Sequence, residues 1–261
     1  LAVPANQVKN FNDMAGQGPD SDVAATGGAI FATTHWSVVL AAAGEDSHLA
    51  GRALERLCRT YWPPLYAFLR RQGHNEADAQ DLAQGFFASL LAHQSFAGLE
   101  RDRGKFRSFL LGALKHFLAN AHDRTHALKR GGALTFVPWE AAESTFHSGR
   151  TDALSPDLAF EKSWALTLLN QVLTQLREEY SRAGKAVLFE ALQVYLTGDK
   201  GDAPYVEMAV RLDLGESALK MSIQRLRRRY GDLLRAEIAH TVSTPQEIDE
   251  EIRSLFAAVR R

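Results

Sequence analysis

The sequence predicts an all-α chain: two helical domains joined by a flexible linker, the second containing a helix-turn-helix. Three observations predict it. Apolar residues recur three and four positions apart through most of the chain. No stretch alternates apolar and polar residues over the length of a strand. Between two helical halves, Thr135 to Pro156 mixes Pro, Gly, Ser and acidic residues without a helical period, which is the composition of a linker. At 261 residues the chain is long for one domain and sufficient for two.

Residues 1–30, rich in Gly, Ala, Asn and Asp, read as a disordered arm. The first domain is set at 31–132. Thr33-Thr34 can cap a short helix through Leu40 and Ala43. From Arg52 to Arg71, Leu54, Leu57, Cys58, Tyr61, Trp62, Leu65, Phe68 and Leu69 form one buried face, and Pro63-Pro64 predicts a kink or break. Asn75, with Asp78 three residues on, can cap a helix carrying Leu82, Phe86, Phe87, Leu90 and Leu91. A charged loop from His93 to Lys105 leads to a long helix from Phe106 to about Arg130, ended by Gly131-Gly132. The linker is set at 133–157. The second domain, 158–240, carries helical stripes at Leu169, Val172, Leu173, Leu176 and Tyr180, and at Val187, Leu188, Ala191, Leu192 and Tyr195. In the extension, 241–261, Ile248, Ile252, Leu255, Phe256 and Val259 line one face of a last helix. That helix is expected to pack on the second domain, with binding of a regulator as the alternative.

Bulk numbers narrow the function classes. A single cysteine, Cys58, can form neither an internal disulfide nor a cysteine zinc site, which fits a reducing cytoplasm. No run of about 18 apolar residues spells a membrane helix. Leu1 to Thr26 lacks the pattern of a secretory signal, and the start at Leu reads as trimmed or unusually initiated. The net charge is -1, yet it hides two basic segments. One contains Arg101, Arg103, Lys105, Arg107, Lys115, Arg124, Lys129 and Arg130; the other contains Lys220, Arg225, Arg227, Arg228 and Arg229. Phosphates respond to local charge, so nucleic acid remains a candidate partner.

The most informative stretch is Pro204 to Leu234. Tyr205, Met208, Ala209 and Leu212 make a short amphipathic helix behind Pro204, and Asp213-Leu214-Gly215 breaks it. Glu216 or Ser217 then caps a second helix with Leu219, Ile223, Leu226, Tyr230 and Leu233 inside. Two helices joined by a short Gly-containing turn form a helix-turn-helix, whose second helix enters the major groove. Its outer face offers Glu216, Ser217, Lys220, Met221, Gln224, Arg225 and Arg228, types that match base edges and grip phosphates. The plainer reading is a helical hairpin with a solvated basic face.

The stretch from Pro204 to Lys220 resembles the helix-turn-helix that reads the minus-thirty-five element in sigma factors of the extracytoplasmic-function (ECF) type. Asp78-Ala-Gln-Asp-Leu-Ala-Gln-Gly-Phe-Phe resembles that family's helix for binding core polymerase. Phe106-Arg-Ser-Phe-Leu, running on to Lys115-His-Phe-Leu-Ala-Asn and Arg124, resembles its promoter-melting helix. The likeness spans roughly Thr33 to His240 in the family's order, and no room is left for a third domain between the two. It implies a cytoplasmic, non-enzymatic factor with core RNA polymerase and promoter DNA as partners and no cofactor. Relatives are often held by an anti-sigma protein or other regulator, a further candidate partner. The resemblance puts Asp81, Leu82, Gln84 and Phe87 on or beside the polymerase-docking surface. It sets Arg103, Lys105, Arg107, Lys115, His116, Asn120 and Arg124 along the melted strand, and makes the loop from Ser95 to Lys105 the receiver of a flipped base. Melting needs captured bases and a cationic track rather than bond chemistry. Phe96 or Phe106 can stack on a base, although aromatics at helix boundaries more often belong to the core.

Two positions depart from the pattern. Gly85 replaces the family's usual acidic residue, removes a charge and costs about 1 kcal/mol of helix stability. His116 and Asn120 stand where the family usually has Asn and Asp. A rival motif, His122-Asp-Arg-Thr-His126, resembles a zinc-protease helix with Asp for Glu. Its basic surroundings and lack of an evident third ligand make metal binding the lesser reading, and no metal is expected. The rival functions are a stand-alone helix-turn-helix transcription regulator and a helical metalloenzyme.

Overall fold

The structure, a computed structural model, describes residues 47–92, 105–125, 154–196 and 205–261. The described residues are all-α, with no strand among them. In chain order the helices are α1 (Ser47–Arg71), α2 (Glu76–Ala92), α3 (Phe106–Thr125), α4 (Pro156–Arg182), α5 (Ala186–Leu192), α6 (Tyr205–Arg211), α7 (Glu216–Ala239) and α8 (Ile248–Arg260). The expected arm, the early helix near Thr33, the loop from His93 to Gly104 and the end of the melting helix at Gly131-Gly132 lie outside the described residues.

The chain divides into two compact units. One holds the described part of 26–167 together with Ile238–Val259; the other is drawn from Leu168–Glu237. This differs from the sequence division in two places. Pro156 already begins α4, behind Ser155, whose hydroxyl accepts the Leu158 N–H at 3.3 Å. The residues of α4 up to Thr167, with Phe160 and Trp164 fully buried, belong to the first unit rather than the second domain. The C-terminal extension joins the first unit as well. A helical stripe tells which face is buried, not which partner buries it.

In the first unit, Leu57, Tyr61, Leu65, Phe68 and Leu69 of α1 are buried, as the spacing predicts. Helix α1 runs through Pro63 and Pro64 without the break that was one of the two expected outcomes. The burial of Tyr61, Trp62, Leu65 and Tyr66 offsets the two missing N–H donors. Trp62 stacks on Phe87 of α2 at 5.9 Å, and Tyr61 meets Phe106 of α3 at 5.2 Å. Phe106 is fully buried, so it is a core residue and not a base-stacking platform. Asn75 caps α2 as the sequence predicts: its carbonyl oxygen accepts the Asp78 N–H at 2.9 Å, and its amide donates to the Asp78 carboxylate at 2.7 Å.

In the second unit, Leu169, Val172 and Leu176 of α4 are buried, as are Phe189 and Leu192 of α5 and Leu219, Ile223 and Leu226 of α7. Within α5 the expected stripe is rotated: Val187 is 79% exposed, and Phe189, absent from the expected set, turns inward beside Tyr180 at 5.7 Å.

Gly85 of α2 faces Phe117 of α3; a Cβ there would meet the Phe117 Cζ at 3.4 Å, an ordinary contact. Gly85→Ala is therefore expected to raise stability by up to about 1 kcal/mol through helix propensity, read as a higher thermal midpoint. A lower midpoint would mean that the α2–α3 packing cannot take one more methyl.

Candidate nucleic-acid interface

Helix α7 separates its residues by face. Leu219, Leu226 and Leu234 are fully buried, and Ile223, Tyr230 and Leu233 nearly so. On the opposite side Glu216, Ser217, Lys220, Met221, Gln224, Arg225 and Arg228 are all exposed. Positions 217, 221, 224 and 228 recur at helical spacing and form one stripe. Met221 is 48% exposed. Glu216 and Lys220 pair with each other at 2.6 Å, so the charge at the first turn is internally balanced. That pairing raises the Lys220 pKa above its usual value.

The turn before α7 forms a Schellman end. The Leu214 N–H donates to the Ala209 carbonyl at 2.9 Å, and the Asp213 N–H to the Val210 carbonyl at 3.2 Å. The left-handed position falls on Asp213, φ 52°, and not on Gly215. Helices α1 and α4 end with the same bond pattern but place Gly73 and Gly184 in that position. Aspartate tolerates it less well than glycine, so the turn stores some strain. Neither Glu216 nor Ser217 is the N-cap of α7, as was expected. That position belongs to Gly215, whose carbonyl accepts the Leu219 N–H at 3.0 Å.

Two arginines of the second basic cluster are tied to other elements of the unit. Arg229 forks onto Glu179 of α4, with Nε and Nη2 donating at 2.8 and 2.7 Å. Arg227 donates from Nε and Nη2 to the Tyr195 carbonyl at 3.2 and 2.9 Å. The Tyr195 ring in turn stacks on Tyr205 of α6 at 5.3 Å. Arg225 and Arg228 are exposed, and Arg228 lies in the stripe.

The first-unit candidates are placed unevenly. Asp81 is exposed and Leu82 and Gln84 half-buried on α2, but Phe87 is fully buried against Trp62. Phe87 therefore shapes the helix from its core side and offers no surface to a partner. On α3, His116 and Asn120 are exposed and within 3.3 Å of each other. Lys115 is exposed but paired with Asp157 of α4 at 2.5 Å, with its ammonium 5.7 Å from the Phe68 ring. Arg103 lies outside the described residues, and Arg124 is in α3 with its side chain outside them. The same holds for the rival metal pair, His126 and His122. Among the described residues no group of three potential ligands gathers.

Lys105 and Arg107 depart furthest from the expected strand-facing track. Arg107 is 6% exposed. Its Nε and Nη2 donate to Glu251 of α8 at 2.6 and 3.2 Å, and its Nη1 to Glu161 of α4. The guanidinium also lies 4.6 Å from the centre of the Trp164 ring. Burial works against the charge, but the hydrogen bond and charge of Glu251, then the charge of Glu161, outweigh it and raise the Arg107 pKa. Lys105 meets Glu251 at 3.0 Å, Glu250 at 3.2 Å and the Ser254 hydroxyl at 3.2 Å. The Phe106 N–H donates to the Thr241 carbonyl at 3.2 Å, so a C-terminal residue also satisfies the start of α3. Glu161, Glu179, Glu250 and Glu251 are site residues that sequence reasoning missed. The acidic run from Glu247 to Glu251 was visible; its cationic partners more than a hundred positions earlier were not.

Glu251 is fully buried. Glu251→Gln is expected to cost about 3–5 kcal/mol in denaturant unfolding, because it leaves a buried guanidinium short of charge; a loss under about 1 kcal/mol would contradict the network. At Glu179 the Arg229 hydrogen bonds hold the carboxyl below its usual range. A depressed folded value stabilises above the unfolded value and is lost as pH falls through the folded one. Glu179→Gln should therefore cost up to about 1 kcal/mol at neutral pH and nothing in strong acid; an equal cost at both would show that the charge is irrelevant. A scan against protein-family models, a search of curated proteins and a search of solved structures each find nothing that matches the chain.

Proposed function

We propose that the chain is a sigma factor of the extracytoplasmic-function type, which binds core RNA polymerase and directs promoter recognition and transcription initiation. The observation that carries this reading is the face of α7. Seven residues suited to base edges and phosphates are exposed together, while Leu219, Ile223, Leu226 and Tyr230 anchor the other side. The helix follows a four-residue turn after α6, the order of a helix-turn-helix. The segments that resemble the polymerase-binding and melting helices form α2 and α3, upstream in the same order. A division into two compact units suits the reading of two promoter elements.

On this reading α7 meets the upstream element, and the exposed residues Lys115, His116 and Asn120 of α3 meet the melted strand. Asp81, Leu82 and Gln84 offer α2 to polymerase. The protein performs no bond chemistry itself and works in the cytoplasm beside polymerase. No helix of the described residues is long and apolar enough to cross a membrane.

One observation favours a second reading, a stand-alone helix-turn-helix regulator. Phe87, Lys105 and Arg107 are engaged inside the first unit, which thins the set available to polymerase and strand. Co-purification with core polymerase separates the two. Arg225→Ala and Gln224→Ala should each weaken binding to an upstream duplex by about 1–3 kcal/mol and leave polymerase binding intact. Arg225→Ala should also flatten the salt dependence by about one ion. Loss of both activities together, or failure of the parent chain to bind polymerase, would refute the assignment.

A further inference from the structure

The acidic first turn of α8, with Asp249, Glu250 and Glu251, sits on the cationic start of α3. Acidic residues at a helix N-terminus suit its dipole, so their presence alone says little. Their placement says more. Glu250 and Glu251 both reach Lys105, and the Ser254 hydroxyl completes the set. Each is an oxygen held around an ammonium, as the oxygens of a phosphodiester would be. The two carboxylates differ in kind. Glu251 is fully buried and belongs to the packed interior with Ile252, Leu255 and Phe256. The Glu250 side chain is 62% exposed and that of Lys105 23%, so a rotation of Glu250 releases one partner without moving the helix.

We propose that Glu250 is a built-in competitor for nucleic-acid phosphate at Lys105: an intramolecular carboxylate that masks the start of the strand-facing surface and weakens its grip. The proposal rests on the reading of α3 as facing a DNA strand. It assigns to the C-terminal helix a tuning role in addition to its packing role. It needs no undocking of α8, which the burial of Leu255 and Phe256 opposes.

The test is a double-mutant cycle on the full chain with Glu250→Gln, Lys105→Ala and the pair, titrated with a fluorescein-labelled single-stranded oligonucleotide by anisotropy across a sodium chloride series. Because Glu250 is largely exposed, its variant should fold as the parent does, checked by circular dichroism. Glu250→Gln should bind about twofold to fivefold more tightly at low salt, the range of one exposed ion pair. The slope of log affinity against log salt should steepen by about 0.7, one phosphate contact on a single strand. Both gains should vanish in the Lys105→Ala background. Unchanged affinity in Glu250→Gln, a gain that persists without Lys105, or no oligonucleotide binding by any variant would each overturn the proposal. The polymerase reading is judged separately by co-purification with core polymerase. A chain that passes the cycle but fails to bind polymerase keeps the mask and loses the sigma assignment; the reverse result keeps the assignment and removes the mask.

Discussion

The first unit is built around one buried charge. Arg107 lies between Glu251 from the C-terminal helix and Glu161 from α4, under the face of Trp164. A guanidinium in that position is tolerable only when its donors are met, and Nε, Nη1 and Nη2 all are. The arrangement draws together three segments far apart in the chain. It explains why the C-terminal residues and the first half of α4 belong to the first unit. It also explains why the cationic start of α3 is largely spent on internal carboxylates.

The same division of labour recurs in the second unit. Of the four arginines between Arg225 and Arg229, Arg229 and Arg227 are tied to Glu179 and to the Tyr195 carbonyl, while Arg225 and Arg228 are exposed. A helix that presents side chains to a groove must be held at a defined angle, and a forked arginine fixes orientation better than a lysine. Counting positive charge along the sequence overstates what a ligand would meet, because part of it positions the helix that carries the rest.

Helical periodicity made the all-α class and most buried stripes legible: Leu57 to Leu69 in α1, Leu219 to Leu233 in α7 and Ile252 to Val259 in α8 are buried as their spacing requires. Local chemistry was legible too, as the Asn75 cap shows. Three things were not. Pro63-Pro64 reads as a kink or a break by local rules, and the helix does not break there. The break at Asp213-Leu214-Gly215 was legible, but not that its left-handed residue is Asp213. The carboxylate partners of Lys105 and Arg107 were hidden because pairing across some 144 positions, as between Arg107 and Glu251, leaves no periodic trace. The exposed face of α7 was legible in full because one helix and its own period define it. The first-unit candidates were only partly so, because their exposure depends on what packs against them.

The central claim is that this chain makes a polymerase start at chosen places. Run-off transcription with purified core polymerase over a genomic promoter library tests it most directly. The account predicts discrete start points that require the added chain and share an upstream sequence at fixed spacing. Transcripts no different from those of core polymerase alone would contradict it.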